Sequence, residues 1–163
     1  CRAFFGEALI ESWRARASRF PPELGRAMVV EHLKFFPAWG VVPQFVTRDA
    51  TLWYHQVLVE SCQNLLGVLS GLNRVYYTPF QFKRMSRFLT QLRLQPADLG
   101  GRIETLFTSP PAEALLSLEA LVAETLDLVE AGLPDVDTSV PRRRIGWRKP
   151  GWRVEEVSLL LSR

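Results

Sequence analysis

The chain has 163 residues, 47% of them hydrophobic, which suffices for one compact core and excludes a large multidomain protein. Its formal net charge is +3, but residues 140–153 contain six Lys or Arg and no acid, so subtracting these six charges leaves −3 for the remainder. The basic character is therefore local, which excludes a surface that is basic throughout.

The cysteines and histidines predict neither disulfides nor a metal site. Cys1 and Cys62 lie far apart, and His32 and His55 have no Cys, Asp or His at metal-ligand spacing. No apolar run reaches roughly 18 residues, and the N-terminus lacks the order of a signal peptide. We expect a cytoplasmic protein without membrane contact. Because the chain starts with Cys rather than Met, we also expect it to be a fragment of a longer polypeptide.

The first half of the chain is predicted to be helical, because apolar residues recur there at helical spacing. A first helix covers residues 6–19. A second covers residues 22–36 and starts at Pro22, where the missing N–H of proline costs nothing. Residues 38–48, bracketed by prolines, are predicted to be a short helical or irregular piece.

The longest predicted helix covers residues 50–73, with Asp49 as its N-cap. Apolar residues cover most of its circumference. Such a helix normally lies at the centre of its bundle.

Two further helices follow it. Thr78 and Pro79 are typical of a helix start and precede an apolar face formed by Phe82, Met85, Phe88, Leu89 and Leu92. Pro96 and Asp98 open a shorter helix that runs towards Phe107.

The last strong helical pattern covers residues 112–131, with Ser109 as a cap and Gly132 as a stop signal. Its apolar stripe is formed by Leu115, Leu118, Val122 and Val129. The predicted fold is therefore all-α, a bundle of about five to seven helices formed by residues 1–136. Residues 137–163 are predicted to be an irregular basic tail that contains tryptophan.

A polar stripe runs down the otherwise apolar long helix. Its members recur every three or four residues: Gln56, Glu60, Gln63 or Asn64, Gly67 and Gly71. The stripe predicts either the solvent side of the helix or a face that a ligand or partner approaches. In a partly buried position, Glu60 would be suited to act as a general base.

A second group of polar residues follows the end of this helix. Asn73, Arg74, Tyr77 and Lys83 would form a donor-rich corner suited to a phosphate or to the hydroxyl groups of an acceptor. The alternative is structural: Asn73 caps the helix, Tyr77 packs in the turn and Lys83 is solvated. Residue types and spacing do not choose between the two.

The segment from residue 60 to residue 107, followed by the acidic Leu-rich helix, resembles a known family. The matching features include Leu72-Asn73-Arg74, the aromatic pair Tyr76-Tyr77, the segment Pro79 to Lys83, and Pro96-Ala97-Asp98-Leu99. They resemble the helical C-terminal domain, of unknown function, that follows the catalytic domain in bacterial minimal nucleotidyltransferase-like proteins. The resemblance spans about residues 6–136, and its most specific part is Leu72 to Lys83.

The resemblance implies a helical domain that binds the acceptor or substrate of a nucleotidyltransferase-like protein and is not catalytic alone. Its partner would be an N-terminal nucleotidyltransferase domain or subunit, which would supply a Gly-Ser loop and an aspartate pair that bind Mg²⁺ and a nucleoside triphosphate. This chain itself would hold no cofactor. Gln56, Asn64, Asn73, Arg74, Tyr77 and Lys83 would bind a small-molecule acceptor and Glu60 would be its base. A homodimer is also among the expected assemblies.

The alternative function is a non-catalytic helical module whose basic tail contacts nucleic acid. Phosphates would bind the cations of the tail and bases would stack on its indoles; these residues are Arg142, Arg143, Arg144, Trp147, Arg148, Lys149 and Trp152. Against this, the tryptophans would pin the tail onto the bundle surface.

Overall fold

The computed structural model describes residues 6–150, and within this range the protein is all-α, as predicted. Eight α-helices and two short 3₁₀ helices make up the described chain, which has no strand. The α-helices are α1 (Glu7–Ala17), α2 (Pro22–His32), α3 (Val42–Val46), α4 (Thr51–Asn73), α5 (Met85–Leu89), α6 (Leu99–Thr108), α7 (Pro111–Gly132) and α8 (Ser139–Arg144); the 3₁₀ helices are Ala38–Gly40 and Pro79–Arg84.

The core forms around the two longest helices, α4 and α7. All four residues of the predicted apolar stripe of α7 are fully buried. On α4, Leu58, Leu65, Leu66 and Leu69 are also fully buried. The prediction that the longest apolar helix is central is therefore confirmed, because α2, α6 and α7 all pack against α4.

Helices α2 and α4 cross with their backbones in contact. A Cβ built on Gly71 of α4 would lie 2.5 Å from the carbonyl oxygen of Gly25 on α2, and one on Gly25 would lie 2.8 Å from the carbonyl oxygen of Gly71. One turn earlier on α4, a Cβ on Gly67 would overlap the ring of His32. The glycines therefore allow α2 to approach α4 more closely than any other residue would permit.

Two details of the helix starts differ from the prediction. Asp49 is not the N-cap of α4, because the helix begins at Thr51 and Ala50 occupies the cap position. Ser109 is not the N-cap of α7, because Pro110 stands there. In both cases the favoured capping residue precedes the observed cap by one position, within the usual uncertainty of a helix boundary.

The described part of the predicted irregular tail, residues 137–150, contains a regular element. Residues 139–144 form α8, and Pro141 fits because it lies in the first turn, where its missing N–H breaks no helical hydrogen bond. At the end of α8, the indole of the buried Trp39 donates to the carbonyl of Arg144 at 2.8 Å. The Arg144 guanidinium donates to the carbonyl of Phe35 at 2.9 Å. We call residues 137–150 the strap.

The rest of the strap lies against the bundle. Arg148 donates to both carboxylate oxygens of Glu119 on α7, at 3.0 and 2.7 Å. The Lys149 amide donates to the carbonyl of Gly40 at 2.9 Å, and a Cβ on Gly40 would overlap the ring of Trp147. The Trp147 ring therefore packs against Gly40 and holds the strap against the bundle. Residues 151–163, with Trp152, lie outside the described residues, and the division at residue 136 stays a prediction.

Candidate functional site

The predicted polar stripe on α4 is divided by the packing of α2. Its glycine end is covered, because Gly67 and Gly71 are buried against α2. Asn64 is half-buried and donates to the carbonyl of Lys34 at 2.6 Å. Only the N-terminal end of the stripe, with Gln56 and Glu60, is exposed. The stripe is therefore not one continuous binding face.

Glu60, the predicted general base, is exposed and accepts a hydrogen bond from Gln56 at 2.7 Å. The sequence predicts a general base only for a partly buried Glu60, and the observed side chain is exposed. Thirteen residues separate Glu60 from Asn73 on α4, which corresponds to about 20 Å along the axis and roughly 220° around it. Glu60 and the predicted corner therefore do not form one compact site.

Asn73 fixes the geometry of the corner. Its side-chain amide donates to the carbonyls of Leu69 and Leu94 at 2.7 and 2.8 Å. Its side-chain oxygen accepts from the backbone amides of Arg93 and Leu94 at 2.7 and 2.8 Å. Both donors and both acceptor positions of the amide are therefore used within the protein. The role that the structure gives Asn73 is to tie the end of α4 to the loop after α5.

Tyr77 lies at the inner side of the corner. Its ring meets that of His32 edge-on at 5.6 Å between centroids and lies 6.1 Å from that of Phe88. Its hydroxyl is buried and has no hydrogen-bond partner among the described residues. Burial raises the pKa of this hydroxyl to about 12, and the nearby Cys62 adds to the shift. Tyr77 therefore packs at the edge of the core in this structure.

Arg74 and Lys83 point out of the corner. Arg74 is the C-cap of α4 in the left-handed conformation, with φ 56°, and its side chain is exposed. The Lys83 ammonium lies 5.5 Å from the centroid of the exposed Phe80 ring. Of the four predicted corner residues, Asn73 and Tyr77 therefore make contacts within the protein. Arg74 and Lys83 are exposed to solvent.

These two cations belong to a larger group of exposed cations, of which the sequence predicts Lys83, Arg84 and Arg87 only as a solvated helix face. Residues 61–97 contain no Asp or Glu, but they contain five exposed cations, Arg74, Lys83, Arg84, Arg87 and Arg93. None of the five forms an ion pair with another described residue. We call these five residues the basic face. The signal in the sequence is the absence of Asp and Glu from residues 61–97 together with the three cations at residues 83, 84 and 87.

In contrast, two of the five cations of the strap, Arg142 and Arg148, form ion pairs with the bundle. Arg142 pairs with Asp127 and Glu130 on α7, at 2.7 and 2.8 Å, and Arg148 pairs with Glu119. A hydrogen bond from Arg142, and a smaller effect of the hydrogen bond from Thr138, hold the pKa of the Glu130 carboxyl below its ordinary value. The positive charge near the C-terminus is therefore compensated in part by acids of α7.

Neither a metal site nor a membrane-spanning helix was found in the described part of the chain, and no similar known protein was found. Among residues 6–150, no group of three or more His, Cys, Asp or Glu side chains is arranged to hold a metal ion. None of the helices in this range combines the length and apolar character that crossing a membrane requires. Comparison with family models, with curated proteins and with solved structures gave no match.

Proposed function

We propose that this chain is the helical acceptor-binding domain of a nucleotidyltransferase-like protein. The observation that carries the proposal is the corner after α4, which is also the most specific part of the family resemblance. There, Asn73 makes four internal hydrogen bonds that hold the backbone, and Arg74 and Lys83 are exposed and form no ion pair within residues 6–150. Such a preorganised pair of donors is suited to bind an anionic or hydroxyl-rich acceptor.

The proposal assigns the chemistry of transfer to a partner. An N-terminal nucleotidyltransferase domain or subunit would hold the nucleoside triphosphate and Mg²⁺ on its own Gly-Ser loop and aspartate pair. The role of this chain would be to orient the acceptor. Glu60 has no part in the corner because of its separation from Asn73 along α4, and its role as a base stays a prediction.

The alternative function, in which the basic tail contacts nucleic acid, has less support from the geometry. Two of its arginines, Arg142 and Arg148, form ion pairs with α7, and Arg144 donates to a backbone carbonyl. Releasing them to bind phosphate would break contacts that dock the strap. We therefore do not place the principal binding surface there.

The test begins with the gene that encodes this chain. The proposal expects a Gly-Ser loop and an aspartate pair upstream in the same reading frame or in an adjacent gene. The protein containing both parts should transfer label from an α-phosphate-labelled nucleoside triphosphate to an acceptor from a cell extract in the presence of Mg²⁺.

Variants then connect the transfer to the corner. Arg74→Ala and Lys83→Ala should each raise the KM for the acceptor about tenfold, the effect of losing one hydrogen bond to a charged group. The control is Arg48→Ala, which removes an exposed arginine near the opposite end of α4 and should leave KM unchanged. Absence of the upstream loop and aspartates, or transfer that is indifferent to Arg74 and Lys83, would refute the proposal.

A further inference from the structure

The basic face concentrates positive charge that no ion pair compensates in the part of the chain that the structure describes. Three of its cations, Lys83, Arg84 and Arg87, fall within five consecutive residues at the junction of the 3₁₀ helix Pro79–Arg84 and α5. No acid occurs between residues 61 and 97 to offset them. Like charges held this close repel each other, so the binding of an anionic partner would be favourable.

The remaining two cations extend this surface to the end of α4. Arg74 directly follows Asn73, and the Arg93 amide donates to the Asn73 side chain at 2.7 Å. Arg74 and Arg93 are thus held next to each other by one side chain. The packing of Tyr77 on Phe88 brings the turn that follows Arg74 against α5, which carries Arg87 and directly follows Lys83 and Arg84 in the chain. These contacts connect the segments that carry the five cations to the C-terminal end of α4.

An exposed aromatic ring lies among these charges. Phe80 is 76% exposed, and its only ring contact among the described residues is the Lys83 ammonium. The ring is therefore accessible to a partner that would bury its apolar surface. A flat ring next to cations is the combination by which proteins bind single-stranded nucleic acid, since bases stack on the ring and phosphates contact the cations.

We propose that the basic face binds single-stranded nucleic acid, with phosphates on its five cations and a base stacked on Phe80. A bilayer is a poorer partner, because Phe88 and Leu89 of α5 are buried and leave this helix no apolar face to insert. A duplex is also a poorer partner, because its bases are not available to stack on Phe80. The binding does not depend on nucleotidyl transfer. If the proposed function is also correct, the bound strand is the acceptor.

Binding is measured with the 163-residue chain alone, without nucleotide or Mg²⁺, so that its outcome is separate from that of the transfer assay. The probes are fluorescently labelled oligouridine and oligothymidine of about 20 nucleotides, followed by anisotropy. Five phosphate contacts predict a slope of about −3.5 for the logarithm of the binding constant against that of salt concentration. Doubling the salt should therefore weaken binding about tenfold.

Charge reversal tests which cations bind. Arg84→Glu with Arg87→Glu should weaken binding by at least about tenfold and reduce the salt slope by about 1.4, the share of two contacts. The matched control is Arg48→Glu with Lys34→Glu, which changes the net charge equally at exposed positions outside the basic face. It should change the affinity by less than about twofold, because distant charges are screened by salt.

Truncation of an aromatic ring tests stacking. Phe80→Ala should weaken the binding of single strands about fivefold or more and leave the weak binding of a duplex unchanged. Its control is Leu52→Ala, which removes an apolar side chain that is 84% exposed and lies near the other end of α4. All of these side chains are exposed, and the thermal unfolding of each variant is compared with that of the parent to confirm folding.

Three results would overturn the proposal. The first is the absence of saturable binding to either oligonucleotide at about 0.1 M salt. The second is an equal loss of affinity in the charge-reversal variant and its matched control, which would mean that net charge alone is responsible. The third is preferential binding to anionic phospholipid vesicles or to polyglutamate, which would assign the basic face to a membrane or an acidic protein.

Discussion

The close crossing of α2 and α4 predicts that Gly71→Ala destabilises the protein. The added Cβ would lie 2.5 Å from the carbonyl oxygen of Gly25 and 2.9 Å from a methyl group of Val29. The first of these atoms belongs to a helical backbone and cannot rotate away. One helix must therefore shift, and the contacts beside the crossing loosen with it.

The magnitude follows from two opposing effects. Overpacking a tight site costs up to about 3 kcal/mol, and the backbone clash places this site near the upper end of that range. Alanine in a helix interior is favoured over glycine by about 1 kcal/mol. The free energy of unfolding should therefore fall by about 2 kcal/mol, which corresponds to a decrease in Tm of roughly 4–8 °C for a chain of this size.

Urea unfolding followed by circular dichroism measures this change, with Gly132→Ala as the matched control. A Cβ on Gly132, the last residue of α7, would lie 3.4 Å from a methyl group of Leu72, an ordinary contact. The control should be neutral or slightly more stable than the parent. If Gly71→Ala were as stable as Gly132→Ala, α2 would not cover this part of α4, and the stripe would again be available to a ligand.

Three further predictions concern stability and docking. Hydrogen bonds from Arg102 hold the pKa of Glu124 below its ordinary value of 4.5. Glu124→Gln should therefore lower the free energy of unfolding by about 0.5–1 kcal/mol at pH values above this ordinary pKa. This difference should disappear in urea titrations as pH falls through the lowered pKa; a pH-independent cost would contradict the role of the ion pair. Tyr77→Phe should leave the free energy of unfolding unchanged or raise it by up to about 1 kcal/mol, because it removes a buried hydroxyl without a partner among the described residues; a clear loss would reveal a missed hydrogen bond. Glu119→Ala should speed amide hydrogen exchange throughout the strap, because Arg148 loses its carboxylate; unchanged exchange would mean that other contacts suffice for docking.

The comparison of the strap with the basic face explains why charge in a sequence is a weak guide to a binding surface. The strap carries clustered cations that stand out in the sequence, but Arg142 and Arg148 meet carboxylates on α7. The cations from Arg74 to Arg93 are exposed, and none of them forms an ion pair with another described residue. Whether a charge is compensated depends on acids from other helices, so it is decided by the tertiary structure.

The sequence by itself determined the helical class and most of the helices. Periodic leucines on residues 112–131 and the prolines that start α2 and α7 act within a few residues, so their effect is visible without a fold. Even the docking of the strap by Trp147 followed from its composition. Only the tertiary structure decided that Gly71 serves helix packing and that the Asn73 amide is fully used. Both depend on atoms from segments distant in sequence, which local periodicity does not contain.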